Sequence, residues 1–227
     1  INTCFTALID SAYSYGGEVI KFGGDALLIL FRGEHHERRA ADAGLLMQRV
    51  LHSSSAAKRA KLTMTVGAAA GPFDVFLVGS GYRELLITGR RATEVIRLEG
   101  EAAKGDTLVD TLIADQLPDS MKLREEHGGW VITGSTGDEA TGPRERDLAG
   151  ADLAPYVPDA VIEQLAAFVA LGGEHRLVTV GFVMVAGVEA LIESDGPVAV
   201  ARALGRLVDD VVEIGRASCR ERVCHRV

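Results

Sequence analysis

A Gly-Gly-Asp turn between two apolar strands is the strongest constraint on how this chain folds. Residues 19–31 read Val-Ile-Lys-Phe-Gly-Gly-Asp-Ala-Leu-Leu-Ile-Leu-Phe. Two adjacent glycines let a chain reverse tightly where a Cβ atom would clash, so this pattern predicts a β-hairpin. Asp25 leaves that turn with its carboxylate at the edge of the sheet. It either completes the turn, as aspartates commonly do, or serves as a metal ligand.

Apolar periodicity predicts the elements that follow the hairpin and the helix that precedes it. Helical spacing of apolar residues indicates helices over residues 2–15, 37–51 and 90–103. Strand patterns occupy 62–71 and 107–109, a second hairpin spans 75–88, and a short helix extends to Leu117. This order predicts an α+β domain of the ferredoxin-like type, a mostly antiparallel sheet whose covering helices lie on one face.

Composition narrows the class of protein. An apolar content of 47% is sufficient for a packed core, and a net charge of −8 argues against a nucleic-acid partner, which needs a clustered basic surface. The sequence has neither a long apolar run nor an export signal at its start, so we expect no membrane partner and a cytoplasmic location. The chain begins partway through what the pattern predicts to be a helix, so we expect further chain upstream.

The hairpin segment resembles a known catalytic motif. Residues 21–28, Lys-Phe-Gly-Gly-Asp-Ala-Leu-Leu, are similar to the second metal-aspartate motif of the class III nucleotidyl cyclases, in particular of their soluble, bicarbonate-responsive branch. The likeness covers residues 1–135. It implies a cyclase catalytic core that converts ATP to cyclic AMP and pyrophosphate with two divalent ions, Mg²⁺ or Mn²⁺. It makes Asp25 the catalytic metal ligand and places the other metal carboxylate, on the first strand of the domain, upstream of Ile1.

The same resemblance gives Lys21 a role in anion binding. Lys21 lies four residues before Asp25, and the two share a face if the strand continues through both. In the soluble branch a lysine here helps to hold a bound anion such as bicarbonate. The alternative is a lysine on an edge strand that discourages aggregation of the sheet.

The start of the third helix carries a partly preserved substrate motif. Cyclases place Gly-x-x-x-Asn-x-x-x-Arg here, where the asparagine positions the ribose and the arginine stabilises phosphate charge. In this chain the frame reads Gly89, Thr93 and Arg97, so the arginine is kept and a threonine replaces the asparagine. Arg97 either binds an anion in a degenerate second pocket or pairs along the helix surface with Glu94 or Glu101.

The remainder of the chain predicts a second, degenerate copy after a linker over residues 136–174. The segment 175–187 resembles the opening strand of another cyclase domain, with Met184 where a metal aspartate belongs. A thioether does not replace a carboxylate as a magnesium ligand. We therefore interpret 175–212 as the start of a second domain that forms a pseudo-dimer with the first. Residues 213–227 are either a translated sequencing adapter or an authentic basic tail, and the run 213–223 favours the adapter.

Two functions follow from these patterns. The first is an adenylate cyclase with one composite site shared by tandem domains, in which this stretch of chain alone is inactive. The second is a catalytically inactive, cyclase-like module that binds nucleotide or bicarbonate and regulates a larger ATPase and helical-repeat signalling protein. A carboxylate at the upstream metal position distinguishes the enzyme from the binding module.

Overall fold

The chain divides into two compact units, which are described separately. The structure is a computed structural model that describes residues 2–140, 142, 149–157, 162 and 185–223, with side chains described to 214 in the last range. The first unit comprises residues 1–73 and 90–147, and the second comprises 74–89 and 148–227. The hairpin at 74–89, expected within the first domain, thus groups with the C-terminal part of the chain.

Helices and strands make up most of the described residues. In chain order they are α1 (Asn2–Ser14), β1 (Glu18–Gly23), β2 (Ala26–Leu30), α2 (His36–Ser53), α3 (Ser55–Ala60), β3 (Val66–Ala68), β4 (Asp74–Val78), β5 (Glu84–Thr88), α4 (Arg90–Glu101), β6 (Thr107–Val109), α5 (Thr111–Ala114), β7 (Lys122–Glu126), β8 (Gly129–Ile132) and α6 (Val188–Val223). Short 3₁₀ turns lie at Asp119–Met121 and Ala154–Tyr156.

A four-stranded sheet forms the centre of the first unit, in the order β3-β6-β8-β7. The β3–β6 pair is parallel, and the other two pairs are antiparallel. Val109 packs with Leu45 of α2, whereas its neighbour Leu108 packs with Leu98 of α4. Because successive strand residues point to opposite faces, α2 and α4 cover opposite faces of the sheet. The predicted α+β class is confirmed, but the placement of helices on one face is wrong: β6 is apolar on both faces and needs a helix on each.

The first hairpin, β1–β2, forms a two-stranded sheet of its own within this unit. Gly23 pairs with Ala26 across a two-residue turn, and Gly24 adopts a φ of 69°, which a side chain rarely tolerates. Leu27 and Ile29 pack against an apolar cluster on α1 and α2 that includes Leu8 and Leu51. The hairpin predicted from the Gly-Gly pair is therefore confirmed.

The second unit combines the β4–β5 hairpin with α6. Phe76 and Val78 of β4 pack with Val200 and Leu204 of the helix, which is bent at Gly196 (φ 79°) before Pro197. Within the described residues, no helix is both long enough and apolar enough to cross a membrane. Much of the linker expected over 136–174 and most of the strand expected at 175–187 lie outside the described residues.

Other expectations differ from the structure in informative ways. The strand expected over 62–71 is only three residues long, from Val66 to Ala68. The β7–β8 hairpin was not predicted, because Lys122–Glu126 reads Lys-Leu-Arg-Glu-Glu and lacks apolar alternation. Its turn is formed by His127 and Gly128, both with positive φ, and the buried residues of β8 hold it in place.

Gly67 of β3 provides a test of the packing between the sheet and α4. A Cβ atom on Gly67 would lie 2.2 Å from the backbone nitrogen of Glu99, so the helix or the strand must move to admit it. We expect Gly67→Ala to lower the free energy of unfolding by about 1–3 kcal/mol, as overpacked cores do.

The matched control is Gly100→Ala, one residue farther along α4. A Cβ atom on Gly100 would have no neighbour within 4 Å, and alanine favours a helix by about 0.5–1 kcal/mol over glycine. Chemical denaturation of both variants measures the difference. Equal stability of the two variants would contradict the close packing of β3 on α4.

Candidate functional site

Asp25 lies at an exposed tip. Together with Gly24 it forms the turn between β1 and β2, and every residue from 21 to 26 is exposed to solvent. Lys21 lies on β1 opposite Leu28. Because β1 ends at Gly23, strand alternation does not extend to Asp25, so the expected shared face of Lys21 and Asp25 is not formed by a continuous strand. The tip thus presents a carboxylate near a lysine on the same hairpin.

The residues at the tip do not by themselves complete a metal site. Among the residues that the structure describes, no group of three or more His, Cys, Asp or Glu side chains is placed to hold a metal ion. Magnesium prefers six oxygen ligands in near-octahedral geometry, and proteins usually supply one or two carboxylates to it. The role of Asp25 as a metal ligand therefore stays a prediction.

The opposite end of this hairpin is held by buried polar contacts. Arg39 of α2 is only 6% exposed. Its guanidinium donates hydrogen bonds to three backbone carbonyl oxygens: Nη1 to Tyr15 at 3.0 Å, Nη2 to Arg32 at 2.6 Å and Nε to Glu34 at 3.2 Å. Tyr15 precedes β1 and Arg32 follows β2. The Arg39 side chain therefore contacts the segments that enter and leave the hairpin at its base. Sequence reasoning missed Arg39, because it lies beside a second arginine and looks like a solvated helix residue.

The predicted substrate motif lies on α4. Thr93 is exposed, and Arg97 follows one turn later. Arg97 donates through Nη2 to Glu94 Oε1 at 2.6 Å and through Nη1 to the His127 carbonyl at 2.6 Å, and it also pairs with Glu101. The hydrogen bond that Arg97 donates to Glu94 raises the pKa of Arg97 further above its ordinary value, and the same bond lowers the pKa of Glu94. The two glutamate contacts are those expected if Arg97 pairs along the helix surface. An anion-binding role for Arg97 stays a prediction.

The four predicted site residues therefore occupy two elements. Lys21 and Asp25 lie on the two-stranded hairpin, and Thr93 and Arg97 lie on the helix that covers the four-stranded sheet. A bound anion at Arg97 has to compete with two carboxylates that already neutralise the guanidinium.

Asp110 is a buried carboxylate that the sequence analysis did not single out. It is 2% exposed and caps α5, with Oδ1 accepting from the Ile113 amide at 2.9 Å. Its Oδ2 accepts from the Ala70 amide at 3.2 Å and from Arg91 Nη1 at 3.1 Å. Asp110 thus joins the chain after β3, the start of α4 and α5. Burial raises the pKa of this carboxyl, against the opposing effect of its hydrogen bonds. An aspartate between a buried strand and a helix is a capping signal that could have revealed it.

The beginning of the predicted linker is anchored to the first unit. Thr136 donates hydrogen bonds from its amide and its hydroxyl to Asp42, a fully buried residue of α2. Arg38 pairs with Asp138 at 2.9 Å, and the Gly142 amide donates to the carbonyl of Ser14 at 2.9 Å. Thr136 and Asp138 therefore contact α2, and Gly142 reaches the end of α1.

This α+β architecture, with its antiparallel hairpins, is similar to the fold of guanylyl cyclases in solved structures. The guanylyl cyclase Cya2 matches with a TM-score of 0.52 at 19% identity, over 61% of this chain and 82% of that one. The guanylate cyclase domain of RhGC from Catenaria anguillulae, solved in complex with GTP, matches with a TM-score of 0.52 at 16% identity, over 59% and 81%. Identities this low establish the fold alone. Neither a protein-family model nor a curated protein sequence matches the chain.

Asp110 generates a prediction about stability. We expect Asp110→Ala to lower the free energy of unfolding by about 1–3 kcal/mol, because it leaves buried donors without an acceptor. Asp110→Asn should cost less, because the amide oxygen still caps α5 through the Ile113 amide. Urea denaturation at neutral pH measures both.

The pH dependence of the same comparison tests the raised pKa. Burial raises the pKa of Asp110 in the folded protein above its ordinary value of 3.8, so the folded protein still binds this proton when the unfolded chain has released it. The contribution of Asp110 to the free energy of unfolding is therefore lost as the pH rises above that value. The destabilisation caused by Asp110→Asn should therefore be largest at acidic pH and shrink as pH rises. A destabilisation that grows with pH would contradict the raised pKa.

Proposed function

We propose that this chain contains the first catalytic domain of a class III adenylate cyclase of the soluble, bicarbonate-responsive type, acting in the cytoplasm. The complete protein would convert ATP to cyclic AMP and pyrophosphate. One observation carries the proposal: within a cyclase fold, the Gly-Asp motif forms a tight hairpin turn that presents Asp25 to solvent. An aspartate needed only for the turn would not require the run Lys-Phe-Gly-Gly-Asp-Ala-Leu-Leu that surrounds it.

The missing carboxylate is proposed to lie on a strand between β2 and β3. Among the described strands, β2 pairs only with β1 and β3 only with β6, so each has one edge without a partner strand. On β3, Val66 and Ala68 make the ladder bonds to the β6 side, so the Gly67 amide and carbonyl point toward the other edge. Helix α2 packs on both sheets, with Leu51 near Ile29 and Leu45 near Val109. A strand in this position would join the two sheets beneath one helix.

The proposal includes a site composed from two domains. Asp25 and the carboxylate on the added strand would hold two ions, Mg²⁺ or Mn²⁺, which supply Lewis acidity at the reacting phosphate when bound. The second domain, whose start is proposed at residues 175–212, would pair with the first as a pseudo-dimer and contribute the residues that read the base. Lys21, Thr93 and Arg97 are proposed to contact substrate or bicarbonate.

A regulatory module without catalysis is the second candidate, and one observation favours it. Arg97 is already paired with two glutamates. Such a module would bind a nucleotide or bicarbonate and control an attached ATPase and helical-repeat region. Reading the residue that stands at the upstream metal position separates the two functions, because only the enzyme needs a carboxylate there.

Asp25→Asn tests the catalytic proposal in the complete protein. The amide keeps the size of the side chain and removes its charge, so we expect cyclic AMP formation to fall by a factor of at least about 100, as with other lost electrostatic contributions. The measurement is the turnover of ATP with magnesium and with manganese. The control is Asp10→Asn, an exposed aspartate on α1. Turnover within about twofold of the control would assign Asp25 to the turn alone.

Lys21→Ala tests the anion role in the same protein. We expect the activation of cyclic AMP synthesis by bicarbonate to be lost, because the variant removes a cation from the hairpin that carries Asp25. Lys104→Ala, another exposed lysine, serves as the control. An unchanged response to bicarbonate would leave Lys21 as an edge-strand lysine.

A further inference from the structure

The β1–β2 hairpin is closely packed at its base, whereas its tip is exposed to solvent. At the base, a Cβ atom on Gly17 would lie 2.7 Å from the ring of Phe31, so the two flanking segments are in close contact there. Glu18 and Arg32 also pair across this end, with Arg32 Nη2 3.1 Å from both carboxylate oxygens. At the tip, residues 21–26 are all exposed. The hairpin is therefore held at its base by these contacts and along one face by the packing of Leu27 and Ile29 against α1 and α2, whereas the turn itself is exposed.

The length of the hairpin magnifies small movements of that base. Six residues of β1 span about 17–20 Å at about 3.4 Å per residue, so a tilt of about 10° at the base would displace the tip by about 3 Å. A metal ligand tolerates displacements of only about 0.2 Å. A side chain that fixes the base thus affects where a carboxylate at the tip lies, together with the packing of Leu27 and Ile29 along the hairpin.

We propose that Arg39 is a positioning residue that sets the orientation of this hairpin and, through it, the place of Asp25. The effect on Asp25 rests on the proposed function, whereas the effect on the hairpin does not. Arg39 acts at a distance from the tip, and its guanidinium joins the carbonyls of Tyr15 and Arg32, which lie before and after the hairpin. Its third bond, to the Glu34 carbonyl, extends the contact to the segment that leads into α2.

The chemistry of these contacts selects arginine over lysine. A planar guanidinium directs five N–H donors outward in fixed directions and can serve three carbonyls in its plane. A lysine ammonium has three donors on one atom and is more strongly hydrated, so it does not reproduce a contact that spans three separate backbone positions. Arg39→Lys keeps the charge and removes this geometry.

Hydrogen exchange on the 227-residue chain tests the proposal without depending on activity. We expect Arg39→Lys to accelerate exchange of the hairpin amides at residues 18–30 by about tenfold or more, because opening of the hairpin becomes easier when these bonds are lost. Exchange in β6 and β8 should change by less than about twofold. Arg39→Met, which removes the charge as well, should produce the same regional pattern with a larger amplitude.

Arg38→Lys is the matched control, because the adjacent Arg38 pairs with Asp138 and contacts the segment after β8 instead of the hairpin. It should leave exchange at residues 18–30 unchanged. Unchanged hairpin exchange in Arg39→Lys would overturn the proposal. So would equal acceleration in the hairpin, β6 and β8, or unfolding of both Arg39 variants, since each indicates a general contribution to stability.

A second measurement in the complete protein connects the hairpin to Asp25. A displaced ligand lowers kcat for cyclic AMP formation, whereas binding contacts elsewhere are kept, so Arg39→Lys should lower kcat at least about tenfold with little change in KM. If regional exchange rises but neither Arg39→Lys nor Asp25→Asn alters turnover, the positioning of the hairpin is retained and the catalytic role of Asp25 is rejected.

Discussion

The first unit depends on how closely helix α2 approaches both of its sheets. A Cβ atom on Gly44 would lie 3.2 Å from the Thr107 and Val66 side chains, so the helix backbone rests almost directly on β3 and β6. Farther along, Leu51 reaches the separate hairpin through its contacts near Ile29. Small residues on one part of the helix and long apolar residues on the next let it serve two sheets at once. Interior close packing of this kind leaves little freedom for either sheet to shift.

The elements with clear periodicity could be predicted from the sequence, and the long-range polar contacts could not. The Gly-Gly turn fixed the first hairpin, because only local backbone chemistry decides such a turn. The β7–β8 hairpin depends on burial of residues such as Val131 against α4. The charged sequence of β7 gives no apolar pattern from which this pairing could be predicted. Among the site residues, the family pattern selected Arg97, whose two carboxylate partners lie along the same helix. It passed over Arg39, whose partners are backbone carbonyls that carry no sequence signal.

The candidate site combines a hairpin held at its base with strand edges that lack a partner strand in the described part of the chain. Buried contacts hold the base of the hairpin, its tip is exposed, and the outer edges of β2 and β3 pair with no other described strand. Exposed strand edges favour pairing with other chains, and proteins usually cover them. In the proposed enzyme an added strand would both cover these edges and supply the missing carboxylate, so completion of the fold and of the site would be one event.

The second unit cannot complete its apolar core until late in synthesis of the chain. Its β4–β5 hairpin is made early, but Phe76 and Val78 are covered by Val200 and Leu204 of α6, which the ribosome adds about 100 residues after the hairpin. At about 5–20 residues per second, the nascent chain carries this uncovered apolar ribbon for roughly 5–20 s. During that interval a two-stranded hairpin is only marginally stable, and its apolar side chains are open to chaperones and to neighbouring nascent chains. The late helix therefore determines how long the growing chain remains vulnerable on the ribosome.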